Sequence, residues 1–175
     1  MGEDWQMNPN GKSPIRVMRI IARMNVGGPA VQVSGLMRGF NSNEFEHRLY
    51  TGFCATDEAD YLDEVATAIP AIRIHGLGRS VSVLGDIKAF IKLLRIIREF
   101  QPDIIHTHTS KAGVLGRIAG LIANPKAKRV HTFHGHIIRG YYSGLKLQLI
   151  IQIHRILAAC THTLVSVGEQ IKEDL

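Results

Sequence analysis

The stretch from Ile15 to Phe40 reads IRVMRIIARMNVGGPAVQVSGLMRGF, and three unlike pieces follow one another within it. Ile15 to Met24 is rich in isoleucine and valine, as a strand is. Asn25 to Ala30, NVGGPA, is a glycine turn, and Ala30 to Phe40 spaces its apolar residues three and four apart, as a helix does. Strand, glycine turn and helix make up the unit from which parallel sheets are assembled.

The unit recurs along the chain. His47 to Cys54 predicts a second strand, Asp57 to Ala68 a helix opened by acids, and Ala71 to Leu77 a third strand. A helix capped by Asp86, with Ile87, Phe90, Ile91, Leu94 and Ile97 on its apolar side and Lys88, Lys92 and Arg95 elsewhere, runs on until Pro102 stops it. Asp103 to Thr107, Arg129 to Phe133 and Thr163 to Val167 predict strands four to six, with helices over Ala112 to Ala123 and Leu145 to Ala159 between them. Continuous apolar strands separated by helices predict an α/β domain whose mainly parallel sheet is covered on both faces.

Composition bounds the function. A chain of 175 residues, 45% hydrophobic and 21% charged, is one globular domain with enough apolar material for a sizeable core. Cys54 and Cys160 are too few and too far apart for a disulfide framework or a cysteine zinc site, and read as buried core thiols in a reducing compartment. A net charge of +6 and a pI near 9.6 favour anionic partners such as nucleotide diphosphates or an acidic membrane surface. Nucleic acid fits poorly, because the basic residues are scattered and aromatic residues are only 6% of the chain. Residues 1–14, MGEDWQMNPNGKSP, lack the apolar core of a secretion signal and read as a disordered leader. Leu145 to Ala159 is too short and too often interrupted, by Lys146, Gln148, Gln152, His154 and Arg155, to span a bilayer. Lys172 to Leu175 lie just inside a further predicted helix, where a domain boundary and a second domain are expected.

In an alternating sheet of this kind, chemistry sits where strands give way to loops. Three segments meet that description: NVGGPA, HTHTSKAG from His106 to Gly113, and HTFHGHIIRGYYSG from His131 to Gly144. Gly27 and Gly28 let a phosphate approach the backbone at a helix N-terminus, or simply make a tight turn, since the three spaced glycines of the dinucleotide fingerprint are missing. His106 and His108 share one strand face, and His134 and His136 repeat their spacing. Four imidazoles can ligate zinc in a hydrolase, but only Asp103, expected to be buried at the strand start, lies near them and no general base is in sight. His134 stands before Gly135, where a neutral imidazole can hydrogen-bond a hydroxyl-rich ligand. His47, His75, His154 and His162 read as structural. Tyr141 and Tyr142, with the helix that follows, suit a membrane surface or ordinary packing, and the apolar residues on most faces of that helix favour packing.

Taken together and in order, RMNVGGPAVQV, GLGRSVSVLGDI, PDIIHTHTSKAGVLGRIAG and HTFHGHIIRGYYS closely resemble the N-terminal domain of family 4 retaining glycosyltransferases, over about Ile15 to Leu175. The resemblance implies a Rossmann-like three-layer sandwich, one half of a GT-B fold, that holds the acceptor. The donor-binding C-terminal domain, with its basic residues for the diphosphate and its paired glutamates, is absent from the sequence. It further implies that Gly27 and Gly28 face the donor diphosphate and that His134 contacts the transferred sugar. Arg79, His108, Ser110, Lys111, His136 and Arg139 then line the acceptor side. The implied substrates are a nucleotide sugar and a sugar or lipid-linked acceptor. No metal or other cofactor is expected, and the protein is expected in the cytoplasm or at the inner face of a membrane. Gly168 departs from the serine often found before the acid at the end of the sixth strand. Without a donor domain the chain is expected to be inactive alone. A non-catalytic nucleotide or sugar-phosphate binding module is the alternative, and a zinc-dependent hydrolase a third reading.

Overall fold

The computed structural model describes residues 13–135 and 144–173. Six parallel strands form one sheet: β1 (Ile15–Ile21), β2 (Phe45–Thr51), β3 (Ala71–Arg73), β4 (Ile104–His108), β5 (Lys128–Phe133) and β6 (Thr163–Ser166). Their spatial order is β3-β2-β1-β4-β5-β6, the doubly wound arrangement in which the chain reverses direction between β1 and β4. The connecting helices are α1 (Gly28–Gly39), α2 (Tyr61–Glu64), α3 (Val83–Phe100), α4 (Ser110–Ala123) and α5 (Gly144–Ala159), and α6 (Glu169–Glu173) follows β6.

Alternation along each strand divides the core in two. Met18, Ile20 and Ile105 pack with Ala89, Leu93, Ile97, Ala112 and Ala119 under α3 and α4. Ile21 and Leu49 pack on the other face with Ala30, Val33, Tyr61 and Leu62 from α1 and α2. The α4 side is unusually close. A Cβ on Gly113 would lie 2.4 Å from His131 Cε1, on Gly116 2.7 Å from Thr107 Cγ2, and on Gly120 2.7 Å from Ile105 Cδ1. Glycines on one face of α4 therefore set the separation between helix and sheet.

All six predicted strands are present, and the sheet is parallel throughout. Four expectations are corrected. The helix predicted over 57–68 is a single four-residue turn: Asp60 caps it, Oδ1 accepting from Leu62 N at 3.0 Å while Oδ2 pairs with Arg73 at 2.8 Å, and Glu58, ahead of the cap, pairs with Arg23 at 2.7 Å. Helix α3 starts earlier than expected, capped by Ser82, whose Oγ accepts from Gly85 N at 3.3 Å, while Asp86 accepts from Ser82 N at 3.3 Å. Its buried side is Ala89, Leu93, Ile96, Ile97 and Phe100, which leaves Ile87 and Ile91 50% and 44% exposed. Asp103 is exposed, accepting from Arg16 N at 2.8 Å. Cys54 and Cys160 are free and half-buried instead of fully buried.

Candidate functional site

The reversal of the strand order opens a crevice at the C-terminal ends of β1 and β4, and the loops flanking it are tied together. Ala22 N, just past β1, donates to Thr109 Oγ1 at 3.2 Å, and Gly52 N, just past β2, donates to Ala22 O at 3.0 Å. Thr109 caps α4 with φ 65° and ψ 158°, a left-handed backbone that a β-branched residue rarely adopts. Nothing in the sequence signals this strain or the tie it supports. Gly52 has no room for a side chain, since a Cβ there would lie 2.0 Å from Leu77 O and 2.5 Å from Ala22 O.

Gly27 and Gly28 open α1 at this edge. Gly27 is the N-cap and offers no side-chain hydrogen bond. The first helical bond is Val31 N to Gly27 O at 3.1 Å, so the amides of Gly28 and Ala30 precede it. Gly28 is exposed and a Cβ on it would meet nothing within 4 Å, which leaves the approach to its amide open, while Ala30 is buried. This is the geometry that accommodates an oxyanion.

Beside it lies a row of imidazoles on the α1 side of the sheet. His106 and His108 on β4 sit with ring centroids 4.1 Å apart. His108 Nδ1 lies 3.0 Å from Nε2 of His134, which stands one residue past β5. His106 Nε2 meets Thr132 Oγ1 at 2.8 Å, and its Nδ1 meets Arg19 Nη1 at 2.7 Å. Arg19 reaches on to His47 Nδ1 at 3.5 Å, so His47 belongs to the same network. Burial, followed by the charge of Arg19, holds the His47 imidazole at about 4 and that of His106 at about 3. His108 is pushed well below the ordinary range, mainly by burial, and burial also lowers His134. The row is therefore neutral near pH 7.

The ligand geometry runs against zinc at His106, because both of its ring nitrogens are already engaged, by Arg19 and by Thr132. A metal needs a nitrogen lone pair, and the lone pair on Nδ1 faces a guanidinium.

The remaining candidates are spread along the same edge. Ser110 is the exposed first residue of α4. Lys111 Nζ donates to Ser80 O at 2.6 Å and lies 2.5 Å from Asp86 Oδ1, in an ion pair of close approach but poor hydrogen-bond angle, since Asp86 Oδ1 makes no directed hydrogen bond. That pair joins the starts of α3 and α4. Arg79 is 61% exposed and lies 3.4 Å from Asp57 and 3.7 Å from Glu58. His136 and Arg139 lie outside the described residues, as do Tyr141 and Tyr142. His162, read as structural, accepts from Arg129 N at 3.1 Å, and His75 stacks on Phe53.

A separate cavity of about 560 Å³ adjoins the β1–α1 loop, whose Val26 N donates to Ala59 O at 3.0 Å, and is lined by Phe53, Cys54, Glu58, Asp60, Asp63 and Arg73 among others. Its carboxylates repel the anions that the α1 edge attracts.

Three comparisons bear on this site. Residues 26–175 match the profile of Glycosyltransferase Family 4. The chain is 35% identical over 115 residues to a UDP-Gal:alpha-D-GlcNAc-diphosphoundecaprenol alpha-1,3-galactosyltransferase of Escherichia coli, covering 65% of this chain and 28% of that protein. It is 24% identical over 115 residues to the capsular polysaccharide biosynthesis glycosyltransferase CapM of Staphylococcus aureus, covering 66% of this chain and 28% of that one. The chain thus spans well under half the length of these relatives. Among solved structures, a candidate UDP-N-acetylglucosamine 2-epimerase from Listeria monocytogenes superposes with a TM-score of 0.68 at 16% identity, over 93% of this chain and 42% of that one. The lipopolysaccharide outer core galactosyltransferase WaaB superposes at 0.61 with 15% identity, over 91% and 41%. At such identities the likeness is one of fold: a Rossmann-like half of a GT-B architecture.

Proposed function

The chain belongs to glycosyltransferase family 4, and from that premise we propose that it forms the acceptor-side half of an enzyme that moves a sugar from a nucleotide-sugar donor to a sugar or lipid-linked acceptor. The observation that carries this reading is the convergence of three loops at the strand reversal: the open α1 N-terminus at Gly28, the tied β4–α4 turn at Thr109 and the imidazole of His134.

Departure of a nucleoside diphosphate builds negative charge, and the helix N-terminus with the exposed amide of Gly28 stabilises charge of that sign. The neutral His134 holds a hydroxyl of the transferred sugar and fixes the anomeric carbon against the acceptor. The row of imidazoles, kept neutral by burial and by Arg19, is poorly suited to take a proton from the acceptor. The leaving phosphate takes that proton instead, on the face it vacates, and configuration is retained. The chemistry requires no metal. Ser110 lies at the acceptor's entry, with Arg79 and Lys111 further along the same rim; His136 and Arg139 complete the acceptor side, whereas His108, expected there from the sequence, is wholly buried and reaches the ligand only through His134.

The Escherichia coli relative acts, by its name, on a diphosphoundecaprenol-linked sugar, which supports an acceptor presented at a membrane. No described helix is long and apolar enough to cross one. The start of α3 suits peripheral contact: Val83, Leu84, Ile87 and Ile91 are 73%, 74%, 50% and 44% exposed, with exposed Lys88, Lys92 and Arg95 beside them.

Donor contacts belong chiefly to a C-terminal half, so the chain alone is inactive in this reading. The test supplies a family 4 C-terminal half with the chain and follows release of nucleotide from UDP-, GDP- and ADP-sugars in the presence of a polyprenyl-diphosphate-linked sugar. Transfer by the pair, its loss with His134→Ala and silence of the chain alone support the proposal. Turnover by the isolated chain, or a pair indifferent to His134→Ala, refutes it. Binding without transfer would instead support a non-catalytic nucleotide or sugar-phosphate module.

A further inference from the structure

Arg19 lies on β1 with only 3% of its surface exposed, and its described polar contacts are two imidazoles, His106 and His47. A guanidinium has donors and no acceptor. The 2.7 Å contact with His106 therefore requires Nδ1 of His106 to accept. The ring proton of His106 is then on Nε2, where it is donated to Thr132 Oγ1 at 2.8 Å. One buried cation fixes one tautomer without ambiguity.

The next ring in the row carries the argument to the cleft. His108 lies against His106, the rings tilted by 35°, and is wholly buried, at 0% exposure. Its Nδ1 and Nε2 of His134 lie 3.0 Å apart, and two neutral rings at that distance share one proton. His108 Nε2 is buried with no hydrogen-bond partner among the described residues. A proton on that atom would leave a buried N–H unpaired, whereas a bare lone pair there is the less costly orphan. The proton of His108 is accordingly on Nδ1, donated to His134. His134 accepts at Nε2, and its own proton is on Nδ1, the nitrogen not engaged by His108.

We propose that Arg19 and His108 are positioning residues that set the proton pattern of the imidazole row, so that His134 presents an N–H donor, not a lone pair, to an oxygen of the ligand. This rests on the reading above that a sugar or phosphate occupies the edge beside His134, and it sharpens the role of that residue: His134 donates a hydrogen bond and does not abstract a proton. Burial keeps the row neutral, with the Arg19 charge adding to it at His106 and, less, at His108, and neutrality is what makes the proton count single.

The test needs no ligand. The full chain labelled with ¹⁵N-histidine is examined near pH 7 by two-bond nitrogen–proton correlation, which distinguishes the ring tautomers directly. The expected result is Nε2–H for His106 and Nδ1–H for His108 and His134. Nε2–H at His134, or fast exchange between its two forms, overturns the proposal. In His108→Phe, His134 is expected to revert to the Nε2–H form that free imidazole favours, and in Arg19→Met His106 is expected to lose its single tautomer. A folded His108→Phe in which His134 keeps Nδ1–H also overturns it. Should a variant fail to fold, the wild-type spectrum decides alone. Because the spectrum is taken without substrate, absence of transfer in the paired assay leaves this result intact, and the reverse holds as well.

Discussion

On the side of the sheet covered by α3 and α4, β4 contributes Ile105 and Thr107, and the glycines of α4 bring the helix to within contact of them. On the opposite side the same strand contributes His106 and His108, which lie against each other and engage Arg19, Thr132 and His134. Four successive residues of one strand thus serve two purposes at a spacing of one residue. The α4 face is packed to the limit of van der Waals approach and holds the sheet together. The α1 face gives up apolar burial for a row of neutral imidazoles around one buried guanidinium, which is the arrangement expected of a site.

Acid should break both faces at once, with the largest effect. Burial holds His106 at about 3 and, on the α4 face, His131 at about 2, against an unfolded value of about 6.5. Between those limits the unfolded chain binds more protons than the native one. Stability is therefore complete above about pH 6.5 and falls as pH drops, by up to about 1.4 kcal/mol per pH unit for each such histidine. A domain of ordinary stability, about 5–15 kcal/mol, should unfold before the native values are reached. Urea midpoints measured from pH 7 to pH 4 check this, and a flat profile would contradict it.

Gly113→Val attacks the α4 face alone. Its first added carbon lies 2.4 Å from the His131 ring, so the helix must lift from the sheet at a cost of about 3 kcal/mol or more. Urea unfolding reads the loss. Arg19→Met attacks the α1 face alone, costing about 1 kcal/mol for the stranded Nδ1 of His106 while making the acid profile shallower, because the Arg19 charge helps to lower His47, His106 and His108. An unchanged slope would separate Arg19 from the row. Lys111→Met removes only the link between the starts of α3 and α4, and should change stability by no more than about 1 kcal/mol, as thermal unfolding would show.

Much of this was legible in the residues. The isoleucine- and valine-rich run of β1 and the alternation of short apolar segments with helical spacing identified every strand of the sheet, because a central strand buried on both faces has little choice of composition. The loops of the candidate site followed from strand order, and the pairing of His106 with His108 from alternation. What escaped depends on partners distant in sequence. Of the acids at 57–63, read as a helix opening, Asp60 does cap α2, but the cap falls three residues late because Glu58 is claimed by Arg23. Ser82 outcompeted Asp86 for the cap because the two cap the same turn reciprocally. Arg19 sits inside an apolar run and looks like any strand-edge basic residue until His47 and His106 are placed beside it. Thr109 carries its strain in φ, which side-chain chemistry does not announce.

The central claim is that ligand binds at the strand reversal, between the α1 N-terminus and His134. Backbone amide shifts of the ¹⁵N-labelled chain during titration with a water-soluble polyprenyl-diphosphate-linked sugar, and separately with UDP, test it most directly. The account predicts that the largest changes fall on Gly27, Gly28, Ser110 and His134. Changes confined to the cavity around Phe53, Asp60 and Arg73, with that edge silent, would contradict it.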